Sequence, residues 1–182
     1  MREQLRHGSR SVAFCALAAA LGAVFMAAGG LIPIATYCSP MLAAVLLIPV
    51  LSELGAGWAW MTWAVTAALS LMLSADREAA FLYLFVGCYP ILQPRIDAIR
   101  SAPLRFAVKL LFFAAALGAM YALLLWVLQL DTLTEELGAA ARWMELLFFA
   151  ALVAVMMLFD AALRRLRLVW LYRLRPRLFS KR

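Results

Sequence analysis

An uncharged apolar stretch runs from Val12 to Ala35, near the start of the chain. Its roughly 24 residues are enough to cross a hydrocarbon core about 30 Å thick, because an α-helix rises about 1.5 Å per residue. The whole chain follows the same tendency: 67% of its 182 residues are hydrophobic, against roughly 45–50% in a soluble domain. The sequence therefore predicts an all-α, polytopic membrane protein.

Small residues recur every four positions within this first span. Ala16 and Ala20 form one such pair, and Ala19 and Ala23 form another. Residues four apart lie on the same side of a helix, and small ones let a second helix approach closely in lipid. The pattern predicts a helix-pairing surface, and the second helix belongs either to this chain or to another subunit.

Five further apolar stretches follow the first, which predicts a compact bundle of six transmembrane helices at residues 11–163. Residues 1–10 are a predicted polar N-terminal tail, and residues 164–182 are a predicted basic amphipathic tail. Pro90 and Pro94 predict that the fourth span bends or stops there, because proline disrupts a helix interior. The later spans are predicted at about 41–54, 58–74, 79–92, 104–130 and 139–163.

Basic residues are distributed unevenly around the predicted spans. If both termini lie in the cytoplasm, 15 of the 17 lysines and arginines fall on that side, and only Arg77 and Arg142 fall outside. Cytoplasmic loops of membrane proteins carry such an excess. The sequence therefore predicts a multi-pass protein of the cell membrane with both termini cytoplasmic. The same distribution accounts for the net charge of +7 without a nucleic-acid partner.

The sequence contains no recognisable catalytic, metal-binding or phosphate-binding pattern. Its single histidine, His7, lies in the N-terminal tail, and its three cysteines have no paired spacing. We therefore expect no enzymatic activity, no cofactor and no metal. Three acids lie in or near spans: Glu53, Glu145 and Asp160. Asp160 precedes Arg164 by four residues, which predicts a local ion pair, although an acid facing a cavity or partner is the alternative.

Polar and aromatic residues collect at the predicted outer face. Carboxylates there suit a cationic ligand group and arginines an anionic one, although an ordinary solvated turn is the alternative. The candidate substrate-binding residues are Tyr37, Asp76, Arg77, Glu78, Tyr83, Arg142, Trp143 and Glu145. At the other face, the C-terminal tail alternates arginines with large apolar residues. That pattern predicts binding to anionic lipid or, alternatively, to a cytoplasmic partner.

The layout of the chain resembles the substrate-binding S components of energy-coupling factor (ECF) transporters. Members of that family have six short spans with both termini in the cytoplasm, and an Ala-xxx-Ala motif on the first helix. Here Ala16–Ala20 matches the motif and Ala19–Ala23 overlaps it. The segment Asp76–Ala80, followed by Tyr89–Pro90–Ile91, is similar to uncharacterised S-component-like proteins.

The resemblance implies a transport function. An S component captures a vitamin or similar micronutrient at the outer face, and topples in the membrane while bound to the transmembrane T component. Separate cytoplasmic ATPases then drive release, so this chain would hold no ATP site. Docking to the T component would use Ala16, Ala19, Ala20 and Ala23. The competing hypothesis is a non-catalytic membrane scaffold that recruits a cytoplasmic partner through its basic tail.

Overall fold

The computed structural model describes residues 2–30, 35–128 and 138–174, with side chains for most of them. These residues form helices joined by short turns, without strands, so the predicted all-α class is confirmed. A wider π-type turn, Trp170–Leu174, follows the last helix. The helices are α1 (Arg2–Gly29), α2 (Cys38–Val45), α3 (Leu47–Leu54), α4 (Ala56–Leu73), α5 (Arg77–Val86), α6 (Tyr89–Asp97), α7 (Ala102–Leu128) and α8 (Gly138–Val169).

Four stretches of the described residues are long and apolar enough to cross a membrane: Gly8–Gly29, Ala56–Leu73, Arg77–Asp97 and Ala102–Met120. Cys38–Leu54 is a shorter apolar helical segment. Many large apolar side chains also point outward from the bundle, including Met61, Met72, Leu111 and Leu158. Lipid tails cover such surfaces without cost, whereas water does not. The chain is a membrane protein.

The second predicted span is divided into two helices, and the division lies just before its proline. The helix is interrupted at Leu46, between α2 and α3, three residues before Pro49. Proline has no N–H to donate, so it is tolerated in the first turn of a helix but not in its interior. The interruption places Pro49 in the first turn of α3. Gly55, with a φ of 90°, then ends α3.

The fourth span is expected to bend or stop at Pro90 and Pro94, and the structure has an interruption close to the first of these prolines. The interruption lies earlier, at Gly87 and Cys88, and α6 continues through Pro94 to Asp97. Because α6 begins at Tyr89, Pro90 lies in its first turn, and Pro94 forfeits only the bond to the Pro90 carbonyl. Glycine is required at the interruption, since a Cβ on Gly87 would overlap the Tyr83 carbonyl oxygen.

Two further boundaries differ from the predicted spans. The first helix begins at Arg2, so the polar residues 2–10 form the first part of α1. The last helix extends to Val169, beyond the predicted end of the sixth span at Leu163. The division into a tail, a transmembrane bundle and a basic C-terminal tail stays a prediction.

The helices pack around two clusters of buried side chains. The larger cluster centres on Tyr83, Tyr89, Phe113 and Met156, which are fully buried and come from α5, α6, α7 and α8. The smaller cluster joins α1, α3, α4 and α6; its members are Cys15, Leu47, Val50, Ala59 and Ile91, with Trp58, Trp60 and Trp63 packed against them. The three tryptophans near the start of α4 therefore pack against the smaller cluster.

Candidate functional site

Six polar side chains from three helices form one network, which we call the Lys109 cluster. The amine of Lys109 lies 2.6 Å from Asp97 Oδ1 and 2.8 Å from Asp160 Oδ2. Lys109 is 2% exposed and Asp160 is fully buried. The members are Tyr89, Gln93 and Asp97 of α6, Lys109 of α7, and Asp160 and Arg164 of α8.

Asp160 is the acceptor on which the cluster converges. Its Oδ1 accepts hydrogen bonds from the Tyr89 hydroxyl and, at 2.8 Å, from Gln93 Nε2. Its Oδ2 accepts from Arg164 Nη2 at 2.8 Å as well as from Lys109. A buried carboxylate without partners is strongly destabilising, and full pairing with hydrogen bonds removes most of that penalty.

The predicted ion pair between Asp160 and Arg164 is confirmed at 2.8 Å. It is, however, the more exposed part of a larger cluster that the sequence did not predict. Lys109 and Asp97 carry no local pattern linking them to Asp160, because the contact depends on how α6, α7 and α8 are arranged in space. The available signal was a lysine seven residues into an apolar helix, where an unpaired charge is costly.

The Lys109 cluster holds α6, α7 and α8 together by ion pairs. Its two cations and two carboxylates neutralise each other, and their donors and acceptors are directed at one another. Asp97 and Arg164 form the rim, with side chains 26% and 47% exposed. Within the described residues, no group of three or more His, Cys, Asp or Glu side chains is placed to hold a metal ion.

Three of the predicted substrate-binding residues meet where the α1–α2 and α4–α5 connections adjoin. We call this region, formed by Tyr37, Ser74, Asp76 and Glu78, the Tyr37 end. The Tyr37 hydroxyl donates to Glu78 Oε1 at 2.7 Å. Burial of the ring and the adjacent Glu78 carboxylate raise the pKa of Tyr37 above its ordinary value. Tyr37 therefore stays neutral and remains a donor at physiological pH.

The other contacts at the Tyr37 end hold the backbone. Asp76 Oδ1 accepts from the Ala79 amide at 3.2 Å and so caps the start of α5. The Ser74 hydroxyl lies 3.0 Å from the Asp76 carbonyl oxygen and 3.4 Å from that of Met26. Asp76 thus stabilises the start of α5, whereas the contact between Tyr37 and Glu78 is one side-chain hydrogen bond among the described residues.

Arg77 and Tyr83, among the other predicted substrate-binding residues, do not join the Tyr37–Glu78 contact. Arg77 is exposed at the first position of α5. Tyr83 is fully buried in the larger core cluster, and its hydroxyl has no hydrogen-bond partner among the described residues. Arg142, Trp143 and Glu145 fall in the first turns of α8, but their side chains lie outside the described residues.

A small cavity lies at the interruption between α5 and α6. It has room for about one water molecule, far less than the roughly 300–1,000 Å³ of a typical small-molecule site. Its lining is apolar: Pro40, Met41, Ala44, Leu82, Val86, Gly87, Met156 and Phe159. A micronutrient does not fit there unless the surrounding helices separate.

The alanine pattern of α1 is divided between an inner and an outer side. Ala19 and Ala23 are 3% and 7% exposed, on the same buried side as Gly22. A Cβ on Gly22 would lie 2.8 Å from Thr66 Cγ2, so α1 and α4 are in close contact at this point. Ala16 and Ala20 are exposed. The buried half of the pattern therefore pairs with a helix of this chain.

The buried hydroxyl groups of α4 form hydrogen bonds within α4 itself, which permits such close packing. These groups donate to carbonyls one turn earlier in the same helix, at 2.8 Å for Thr62, 2.9 Å for Thr66 and 2.7 Å for Ser70. Satisfied in this way, they need no partner on α1. Docking of α1 to another subunit stays a prediction, and in this structure only Ala16 and Ala20 of the four alanines face outward.

Two regions of the described bundle are available to bind another molecule: the polar Tyr37 end, and the outward side of α1. The Lys109 cluster, by contrast, is fully engaged with itself. Comparison of the chain with protein-family models, with curated proteins and with solved structures finds no match.

Proposed function

We propose that this chain is the substrate-binding membrane subunit of an ECF-type micronutrient uptake transporter, and is not itself an enzyme. The observation that carries the proposal is the division of α1 into two sides. Ala19 and Ala23 pack within the chain, while Ala16 and Ala20 remain outside. An exposed pair of small residues four apart suits close contact with a helix of a transmembrane coupling subunit.

The proposed topology has six spans with both termini in the cytoplasm. The hydrogen bond between Tyr37 and Glu78 joins the α1–α2 connection to the first turn of α5, and the distribution of basic residues predicts that both lie outside. The Lys109 cluster joins the end of α6, the start of α7 and the last turns of α8. These contacts lie at opposite ends of the spans, as the topology requires, and the arginine-rich end is the cytoplasmic one.

Ligand capture is assigned to the Tyr37 end. Separating the two connections there breaks the Tyr37–Glu78 hydrogen bond and the longer contact of Ser74 with the Met26 carbonyl. The first of these costs about 1–3 kcal/mol. A ligand donor group that replaces the Tyr37 hydroxyl on Glu78 offsets that cost. Separating α6, α7 and α8 at the Lys109 cluster would instead leave buried charges without partners. The chain therefore opens most readily at the outer face, where a micronutrient arrives.

The experiment is a ligand screen combined with a copurification. The purified chain is heated in mild detergent with a panel of vitamins, nucleobases and metal chelates, and is also coexpressed with the T component and ATPases of its own organism. We expect one ligand to raise the unfolding temperature, the variant Glu78→Gln to weaken that response, and the T component to copurify. No thermal response together with no copurifying T component contradicts the proposal.

The second candidate function is a non-catalytic membrane scaffold. The observation that favours it is the small size of the apolar cavity at the α5–α6 interruption, which has room for about one water molecule. A scaffold needs an outward helix surface and a cytoplasmic tail, and both are available. Copurification of a membrane partner other than a T component, without any thermal response to the ligand panel, would favour this function over transport.

A further inference from the structure

α8 is longer than the hydrocarbon core of a bilayer is thick. The helix has 32 residues, which corresponds to about 48 Å at 1.5 Å per residue, against a hydrocarbon core of about 30 Å. The wider turn Trp170–Leu174 then follows. Trp170 packs against the larger core cluster, and the turn contacts α3. The last turns are therefore held beside the bundle and do not project away from it.

This segment, residues 165–173, exposes apolar and basic side chains together. Leu168 is 54% exposed and Tyr172 is 80% exposed. Arg165 and Arg173 are exposed beside them, and Arg167 is half-buried. Long basic side chains among exposed leucines are typical of a helix at the boundary between headgroups and acyl chains, where the apolar groups enter the lipid and the guanidinium groups reach phosphates.

Positive charge at this end of the bundle is not cancelled by the acids near it. Asp97 and Asp160 are both engaged by Lys109, and Arg164 also pairs with Asp160. Glu53, at the end of α3, is the one other acid that the described residues place here. Exposed Arg95 of α6 and Arg100 of the α6–α7 connection add to the arginines of the segment. The surface therefore favours an anionic partner.

We propose that residues 165–173 form a binding surface for the phosphodiester headgroups of anionic phospholipid. Leu166, Leu168 and Leu171 enter the acyl-chain boundary, while Arg165, Arg167 and Arg173 bind the phosphates. The Lys109 cluster contributes indirectly, because it neutralises the nearby carboxylates and holds α8 against α6 and α7. This proposal rests on the chain being a membrane protein and does not depend on the transport function.

The test is lipid binding by native mass spectrometry of the purified full chain in detergent. Dioleoylphosphatidylglycerol and dioleoylphosphatidylcholine are titrated in parallel, and inorganic phosphate is titrated as the headgroup-only probe. Each interfacial basic residue contributes about fivefold, so three contribute about a hundredfold. We expect the wild-type chain to prefer phosphatidylglycerol at least tenfold, and the triple variant Arg165→Gln, Arg167→Gln, Arg173→Gln to lose that preference.

Two control variants separate specific binding from a change in fold. A triple substitution of the same arginines by lysine keeps the charges, and we expect it to keep the preference. Arg77→Gln, an exposed arginine at the Tyr37 end, should leave it unchanged. Equal binding of the two lipids by the wild-type chain overturns the proposal and leaves the surface to a cytoplasmic protein. Retained preference in the glutamine variant, or binding of inorganic phosphate with the affinity of the lipid, overturns it too.

Discussion

The two halves of the chain join their helices in different ways. In the N-terminal half, α1 and α4 meet through Gly22 and Thr66, without a charged side chain at the contact. In the C-terminal half, α6, α7 and α8 meet around Lys109 and Asp160, with oppositely charged atoms 2.8 Å apart. The first contact depends on small volume, and the second on the pairing of charges that lipid cannot solvate.

This difference has a consequence for how uniquely each half is specified. A surface of small residues allows close approach but offers several neighbouring registers of similar energy. A buried cluster of ions accepts one arrangement, because any slip leaves a charge without a partner. We infer that the C-terminal half fixes the helix order, and that the N-terminal half is free to present one side of α1 outward.

The largest predicted effect is at Lys109. The substitution Lys109→Met removes the cation between two carboxylates, of which Asp160 is fully buried. Breaking a buried pair by removing one partner costs about 3–5 kcal/mol. We expect a loss of that size in the free energy of unfolding, measured in mixed detergent micelles.

The matched control for Lys109→Met is the double variant Lys109→Met, Asp160→Leu. It removes both buried charges and keeps comparable volume, so we expect it to regain part of the lost stability. The rest stays lost because the buried Tyr89 hydroxyl and Gln93 amide lose the Asp160 carboxylate as acceptor. A Lys109→Met variant as stable as the wild-type chain would show that the two halves do not differ in the way described above.

The next largest effect is at the contact between α1 and α4. Gly22→Val inserts a branched side chain where even a Cβ would lie 2.8 Å from Thr66 Cγ2. Overpacking of this kind costs about 1–3 kcal/mol. Ala20→Val, on the exposed side of the same helix, should change stability by less than about 0.5 kcal/mol. Equal effects of the two substitutions in thermal unfolding would argue against two distinct sides of α1.

The smallest effect is at Tyr37, whose hydrogen bond to Glu78 joins the α1–α2 connection to the first turn of α5. Tyr37→Phe should lower the free energy of unfolding by about 1 kcal/mol. Because the pKa of Tyr37 is raised in the folded chain, its contribution is complete below the unfolded tyrosine pKa of about 10 and declines above it. The stability difference between wild type and Tyr37→Phe should therefore shrink from pH 9 to about pH 11. A constant difference would contradict the assigned hydrogen bond.

The sequence predicted what depends on local pattern. Apolar runs predicted the helices, and the i,i+4 spacing predicted the Asp160–Arg164 pair. It did not predict that α6 continues through Pro94, because the effect of a proline depends on where the helix begins. The spacing of Ala16, Ala19, Ala20 and Ala23 predicted helix pairing, but not which of these alanines lies inside.

The Lys109 cluster shows the same limit for the candidate site. Asp97, Lys109 and Asp160 are far apart in the chain, and their meeting depends on the spatial order of three helices. The Tyr37–Glu78 contact could have been predicted, because the predicted topology puts both residues at the outer face. The binding roles proposed for Arg142, Trp143 and Glu145 stay predictions.

The most direct test of the account is whether the outward side of α1 holds a coupling subunit. The variant Ala16→Leu, Ala20→Leu is coexpressed with the T component and purified in mild detergent, with Ala68→Leu, an exposed alanine on α4, as the control. We predict that the double variant folds with an unchanged unfolding temperature and loses the T component, whereas Ala68→Leu retains it. A double variant that still copurifies with the T component at the wild-type ratio would contradict the central claim.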